Sequence, residues 1–268
     1  MRNLQLLSTS SILLMAAGAC TTLGPTPATT GLSARPMDRD GLEAQVGLVP
    51  GHHLSASVVA SPEGTSVEQL SAAAQVDEWL GLPGLVLAVR RFGRDGDTPI
   101  EPVLGYRRAF GDGAGALAGF VYGGRAGHEE RGASYRVRRL GAELAGDLRL
   151  APSRWVEPHV FGGFNLHDLD ARGAFCTDAD GQWGRDCSTP PDPPSPVMET
   201  EVRGRFVAAH VGVAAELLRH RHGWFQGGRV AFTAAGGTMP HVEAGARTRD
   251  EAYFSFGLTL AVAVGASP

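Results

Sequence analysis

Side chains of a β-strand point alternately to its two faces, so apolar residues at every second position give one oily and one wet face. Residues 133–236 show this pattern in four long segments. In the clearest of them Leu140, Ala142, Leu144, Gly146, Leu148 and Leu150 alternate with Gly141, Glu143, Ala145, Asp147 and Arg149. Val156, Val160, Gly162, Phe164 and Leu166 oppose Glu157, His159, Asn165 and His167. Val207, Ala209, Val211, Val213, Ala215 and Leu217 oppose His210, Gly212 and Glu216, and Gly228, Val230, Phe232 and Ala234 oppose Arg229 and Thr233. A fifth segment, Phe254 to Val264, alternates over about ten residues, the length a tilted strand needs to cross a bilayer.

The pattern continues upstream. Leu117, Gly119 and Val121 mark one strand; Ile100, Leu104 and Tyr106, opposite Glu101 and Arg107, mark another. Leu85, Leu87 and Val89 face away from Val86, Ala88 and Arg90, and Leu54 to Ala60 reads as the first strand. Ser66 with Gln69 forms a helical capping box, yet Gln75 to Leu80 entering Gly81-Leu82-Pro83-Gly84 reads as a strand before a tight turn. The strand is the preferred reading. Strands near 53–60, 73–80, 84–92, 99–108, 115–123, 133–150, 155–169, 202–217, 224–236 and 253–264 make ten.

Short turns then fall at 82–83, 110–114, 151–154 and 218–223. Longer links fall at 61–72, 124–132, 170–201 and 237–252, although 93–97 is short where a long loop is expected. This spacing, with one apolar and one charged face per strand, predicts an all-β, antiparallel, up-and-down transmembrane β-barrel of about ten strands, within a range of eight to twelve. An even count places both termini at one end. The break at Arg138-Arg139 reads as a β-bulge, and Tyr106, Tyr135, Trp155, Trp224 and Tyr253 fall near strand ends where interfacial aromatics gather.

A soluble β-sandwich alternates in the same way. Against it stand the long C-terminal strands and the Gly- and Ala-rich apolar faces, which fill a sandwich core badly. The expected inward set also carries both charge signs: Arg90, Glu101, Arg107, Glu143, Asp147, Arg149, Glu157, Glu216 and Arg229. These residues are predicted to form a lumen charge network. A barrel of this size encloses side chains or one small ligand, not a wide pore.

The N-terminus is a targeting segment. Arg2 precedes an apolar run, Leu4 to Ala17, broken by Ser8, Thr9, Ser10 and Ser11, and the run ends in Ala17-Gly18-Ala19-Cys20. That sequence fits lipidation of Cys20; ordinary cleavage after the small residues 17–19 fits it too, and either gives a mature chain beginning at Cys20. Residues 1–19 are thus a signal peptide. Residues 20–41, rich in Thr, Pro, Gly and Ala, are expected to be a flexible linker, and 42–268 the barrel. No run of about 18 apolar residues follows the signal.

Three cysteines are present. Cys176 and Cys187 bracket a short polar segment and suit a disulfide in an oxidising compartment, which leaves Cys20 as the odd one for a lipid. All 24 basic residues are arginine, and the net charge of −4 gives no support for nucleic-acid binding. No cofactor or metal is predicted. His220-Arg221-His222 and His52-His53 read as solvated turns, and Asp178-Ala179-Asp180-Gly181 lacks the closing Glu of a calcium loop.

On its alternating strands and its lipobox-like site, the chain resembles the small bacterial outer-membrane barrels of the OmpA and OmpX type carrying a lipoprotein-type signal. It departs from them at its end, Val264-Gly265-Ala266-Ser267-Pro268, where many members finish in Phe. The resemblance implies an outer-membrane location with a lipid-anchored, periplasmic N-terminus. The expected role is non-catalytic, structural or surface-binding through the outer loops, with membrane lipid as partner and no protein or small-molecule partner named. The alternatives are a lipid-modifying barrel enzyme, although no G-x-S-x-G elbow is present, and a soluble periplasmic β-sandwich lipoprotein.

Overall fold

A computed structural model describes residues 30–37, 40–54, 58–59, 66–76, 80–92, 100–130, 133–151, 155–177, 183–184, 198–217, 224–241 and 249–265. Its strands are β1 (Gly41–Leu54), β2 (Val58–Val59), β3 (Ser66–Gln75), β4 (Leu85–Phe92), β5 (Ile100–Phe110) and β6 (Gly115–Glu130). The others are β7 (Ala133–Arg149), β8 (Val156–Thr177), β9 (Trp183–Gly184), β10 (Met198–Leu217), β11 (Phe225–His241) and β12 (Arg249–Gly265). Apart from the two-residue strands β2 and β9, each pairs antiparallel with both neighbours. β1 pairs with β12 from Gly41↔Gly265 to His53↔Tyr253, and β8 pairs with β10 from Val156↔Leu217 to Phe175↔Met198. The result is a closed barrel of ten strands.

Closure turns the period-two pattern into an outside and an inside. On β7, Leu140, Leu144 and Leu148 point out and Glu143, Ala145 and Asp147 point in; Leu144 is 60% exposed and Glu143 only 4%. A sandwich would bury Leu144. The outward face of β8 carries Phe164 at 68% exposure, and that of β12 carries Phe256, Leu258, Leu260 and Val262.

One end of the barrel, the near end, holds Gly41 and Gly265 and the strand ends Gln75 and Leu85, Phe110 and Gly115, Arg149 and Val156, and Leu217 and Phe225. The far end holds the strand ends Leu54 and Ser66, Phe92 and Ile100, Glu130 and Ala133, Thr177 and Met198, and His241 and Arg249. Exposed Trp155, Trp224, Tyr106 and Phe110 ring the near edge of the apolar belt. At the far edge the outer face becomes ionic. Arg125, Arg136 and Arg138 are exposed there, and Arg203 and Arg205 pair with Asp170 and Asp168 on the outside of β10 and β8. Between these edges the belt on β7 runs from Leu140 to Leu150, about 25 Å along the axis of a tilted strand.

The first two strands differ from the expectation. The first is Gly41–Leu54, not 53–60, and its outward Leu42, Ala44 and Val46 against inward Glu43, Gln45 and Gly47 carry the same alternation. The second is Ser66–Gln75, not 73–80, and no helix forms at its capping box. Ser71, Ala73 and Gln75 turn inward in period two, and the segment pairs with β1 and β4. Pairing on both edges overrides local helix preference. The expected long link at 124–132 is instead a hairpin that pairs up to Glu130↔Ala133. No bulge occurs at Arg138-Arg139; register runs on, with Arg138 outside and Arg139 inside. The register shift in the described strands lies between Phe225 and Gly227.

A narrow interior must also seat rings. Gly105 pairs with Phe120, and a Cβ there would run into the Phe120 ring. Gly141 lies between Tyr122 and His167, and a Cβ would strike both. Each glycine is a recess cut for the ring opposite. We expect Gly141→Val to force these rings apart and cost about 1–3 kcal/mol through overpacking. The check is urea unfolding in detergent micelles followed by heat-modifiable gel migration. Unchanged stability would mean that the rings do not rest on Gly141.

Candidate functional site

The candidate site is the lumen. Alternation aims Arg90 on β4, Glu101 and Arg107 on β5, Glu143, Asp147 and Arg149 on β7, and Glu216 and Arg229 on β10 and β11 into the barrel. They fall into two clusters with a polar bridge between them.

In the first cluster Glu101, fully buried, accepts from Arg90 at 2.7 Å and lies 3.2 Å from Arg139. Arg90 also stacks on the Tyr122 ring, its guanidinium carbon 3.9 Å from the ring centroid. Arg107 donates to Glu43 at 2.9 Å. Arg139 and Glu43 did not enter the predicted network. Arg139 falls in the expected bulge, and Glu43 lies in the barrel region ahead of the strand expected at 53–60.

The second cluster centres on Asp147. Its carboxylate accepts from Arg229 at 2.9 Å and from Arg35 at 3.2 Å, and lies 2.8 Å from His159 Nδ1. Glu216 faces Arg229 at 3.4 Å and Arg35 at 3.7 Å, and Arg149 reaches Glu157 at 3.7 Å. His159 Nε2 sits between Glu216 and Glu157, at 3.7 and 3.9 Å. Glu157, His159 and Glu216 are close enough to offer ligands to a metal ion. Yet three carboxylates, Asp147, Glu157 and Glu216, already meet three guanidiniums, Arg35, Arg149 and Arg229. Charge is balanced by ion pairs, so a divalent cation would have to displace arginine.

Between the clusters Tyr122 donates to Asn165 at 2.6 Å, and Asn165 donates to Glu143 at 3.1 Å. His210 Nε2 lies 3.9 Å from Glu143, and His167 stacks on Phe206 with centroids 4.6 Å apart.

Arg35 comes from outside the strands, and this is the largest departure from the sequence reading. Residues 30–37 lie within the barrel, where a flexible linker was expected. Thr30, Leu32, Ala34 and Arg35 are all buried. Leu32 and Ala34 join a cluster with Ala73, Val86, Val103, Ala118, Phe120, Tyr122 and Ala145 on the β3–β7 wall. Polar groups fix the rest of the segment. The Thr30 amide donates to Glu143, Gln45 to the Gly31 carbonyl, and Arg229 to the Ser33 hydroxyl. Arg35 donates to the Gly113 carbonyl; the Met37 amide donates to the Gln75 side-chain oxygen at 2.8 Å, and the Gln75 side-chain nitrogen donates to the Met37 carbonyl at 3.0 Å. The only hint in sequence was Arg35 itself, an arginine within a Thr-, Pro- and Ala-rich stretch.

A plug packed on one wall leaves space at the other. A cleft runs beside residues 31–34, lined on β11 and β12 by Ala231, Thr233, Ala235, Ser255, Gly257 and Thr259. Cys20 and Cys187 lie outside the described residues. Cys176 is in β8, opposite Gly184 of β9.

Removing the charge of Glu101 takes from the buried Arg90 and Arg139 the carboxylate they share. Glu101→Gln is therefore expected to cost about 3–5 kcal/mol, the range for breaking a buried ion pair from one side. Glu201→Gln, on the exposed exterior, is expected to change stability by under about 1 kcal/mol. Equal effects of the two substitutions in denaturant titrations would contradict this placement.

The sequence matches no family model, and no curated protein matches it. Among solved structures it is similar to Neisserial surface protein A, at 8% identity over 85% of this chain and 97% of that one, with a TM-score of 0.35. It is similar to Ail, the attachment invasion locus protein of Yersinia pestis, at 10% identity over 84% and 98%, with a TM-score of 0.33. The translocator domain of the autotransporter NalP from Neisseria meningitidis matches at 12% identity over 86% and 90%, with a TM-score of 0.32.

Proposed function

We propose that this protein is an outer-membrane barrel, closed by its own residues 30–37, with a structural or surface-binding role carried by its far end. The observation that carries the reading is the continuous apolar exterior around a buried, charge-compensated interior. Water would not tolerate that exterior on a monomer, where contiguous apolar patches are far smaller. Lipid accepts it, because a closed barrel satisfies every strand's backbone internally.

The edges of the belt support an orientation. Aromatic side chains at the near edge suit an interface. Arg125, Arg136 and Arg138 at the far edge suit anionic lipid headgroups, and the long strands β8 and β10 project beyond them. These features support a far end facing the outside of the cell and a near end facing the periplasm. A non-catalytic role fits the interior, whose buried acids are engaged with arginine or hydrogen-bonded side chains. On the sequence signals, Cys20 carries a lipid and Cys176 bonds to Cys187. Mass spectrometry of the mature N-terminus and non-reducing peptide mapping test these two assignments.

Heat-modifiable gel migration of membrane-extracted protein tests the barrel reading, with spin labels at 143 and 144 as the local probe. Lipid contact at 144 and a shielded 143 are expected; absence of lipid contact at both overturns the proposal. Leu144→Arg is expected to cost about 2–4 kcal/mol, as for a charge on the lipid face near the midplane. In planar bilayers the intact protein should pass no steady current, whereas a variant lacking 30–37 should show conductance steps. Equal conductance of the two would remove the plug from the account.

A further inference from the structure

We propose that two copies of this chain join edge to edge through β10, the stretch Met198–Phe206 pairing antiparallel with the same stretch of a second copy. The inference rests on the surface-binding reading above for its cellular setting, and it names a partner for the far end.

β10 is longer than the wall it helps to close. It pairs with β8 along its whole length, from Met198↔Phe175 to Leu217↔Val156. Its ladder with β11 runs only from Val207↔Thr238 to Leu217↔Gly228, and beyond Thr238 β11 continues to His241 paired with β12. Among the described residues, no strand is laddered to the second edge of β10 over Met198–Phe206. The stretch lies past the apolar belt, which on β10 ends at exposed Val207 and gives way to exposed Arg205, Arg203 and Glu201. An edge of this kind accepts another strand, and sheets commonly guard such edges with charge.

Here the order of the charges admits one partner. The stretch reads Met-Glu-Thr-Glu-Val-Arg-Gly-Arg-Phe, with both acids before Val202 and both arginines after it. A two-fold axis at Val202 maps this order onto its complement. Position 199 then faces position 205 of the second copy, position 201 faces position 203, and position 202 faces itself. Every acid meets an arginine. A shift of two residues either way sets Arg203 against Arg203 or Glu201 against Glu201, and like charges directly opposite destabilise a strand pair.

The match extends into β8. On the outer face Glu201 lies 3.4 Å from Arg172, Arg203 lies 3.4 Å from Asp170 and Arg205 lies 3.0 Å from Asp168. Across the joined sheet one row therefore reads Arg172, Glu201, then Arg203 and Asp170 of the second copy. Its sign alternates at every step.

β10 descends from the far end to the near end, so antiparallel partners point their barrels in opposite directions. The two copies then sit in facing membranes with their far ends together, not side by side in one membrane. Nine residues of a tilted strand project about 23 Å, which sets the gap between the two apolar belts. The far end becomes a homotypic contact between membranes.

The test is a disulfide at the two-fold axis of the full chain in detergent micelles. Val202→Cys in a Cys176→Ser, Cys187→Ser background should give a linked dimer under oxidant, because its two copies stand about 5 Å apart. Thr200→Cys should not, since its copies are about 13 Å apart along the strands. The background alone is the control. Arg203→Glu with Arg205→Glu makes the edge wholly acidic; Glu199→Arg with Glu201→Arg makes it wholly basic. Added to Val202→Cys, each pair should abolish the dimer, and mixing the two proteins should restore it. If the charge variants lose heat-modifiable migration, the comparison of 202 with 200 decides alone. Phosphatidylcholine vesicles carrying the unmodified protein should cluster. No dimer at 202, or equal dimer at 200 and 202, would overturn the pairing; in vesicle-embedded protein it would leave the membrane reading standing. Dimers at 202 without vesicle clustering would overturn the facing-membrane arrangement. Dimers at 202 in protein that stays soluble without detergent or lipid would keep the pairing and overturn the membrane reading.

Discussion

The pairing of β1 with β12 is the contact on which everything else depends. Without it the sheet has two open edges, and in hydrocarbon each unpaired backbone group costs several kcal/mol. With it the wall is sealed, the apolar face of every strand is turned outward, and the polar face is confined to a narrow interior. That confinement explains the chemistry of the lumen. A buried charge far from water must be matched, so Arg90 and Arg139 share Glu101, and Arg35 and Arg229 share Asp147. The same narrowness explains why inward glycines face rings, as Gly105 faces Phe120.

The inner wall is not uniform around the ring. From β4 to β8 it carries large and ionised side chains that interlock. Along β11 and β12, beyond Arg229, it is lined by Ala, Ser, Thr and Gly, which leave room. Residues 30–37 complete the fuller side: Leu32 and Ala34 bury against it, and Arg35 supplies Asp147 and Glu216 with a second guanidinium beside that of Arg229. The segment has no core of its own. It borrows one, which is why its composition resembles a tether while its placement is that of a plug.

Much of the fold was legible because its signal is local. From Leu85 onward, the side on which each alternating residue falls can be read directly, since strand pleat alone decides it: Leu140, Leu144 and Leu148 out, Glu143 and Asp147 in. Strand limits were less legible. Chain between 124 and 132 looks like loop through its glycines, yet β6 continues to Glu130 because β7 is there to pair with it. Ser66–Gln75 carries a helix-start signal that the flanking strands override.

The sequence by itself determined the all-β character, the period-two division of each strand into an apolar and a charged face, and the antiparallel order. These follow from residue spacing and the fixed geometry of an extended chain. Only the tertiary structure decided which charges meet, that Glu43 and Arg139 belong among them, and that residues 30–37 lie inside. Those outcomes depend on which strands become neighbours and how much space closure leaves between them. Neither is written in any local run of residues: Arg35 reaches Asp147 and Glu216 only after the ring has brought three distant segments to one mouth.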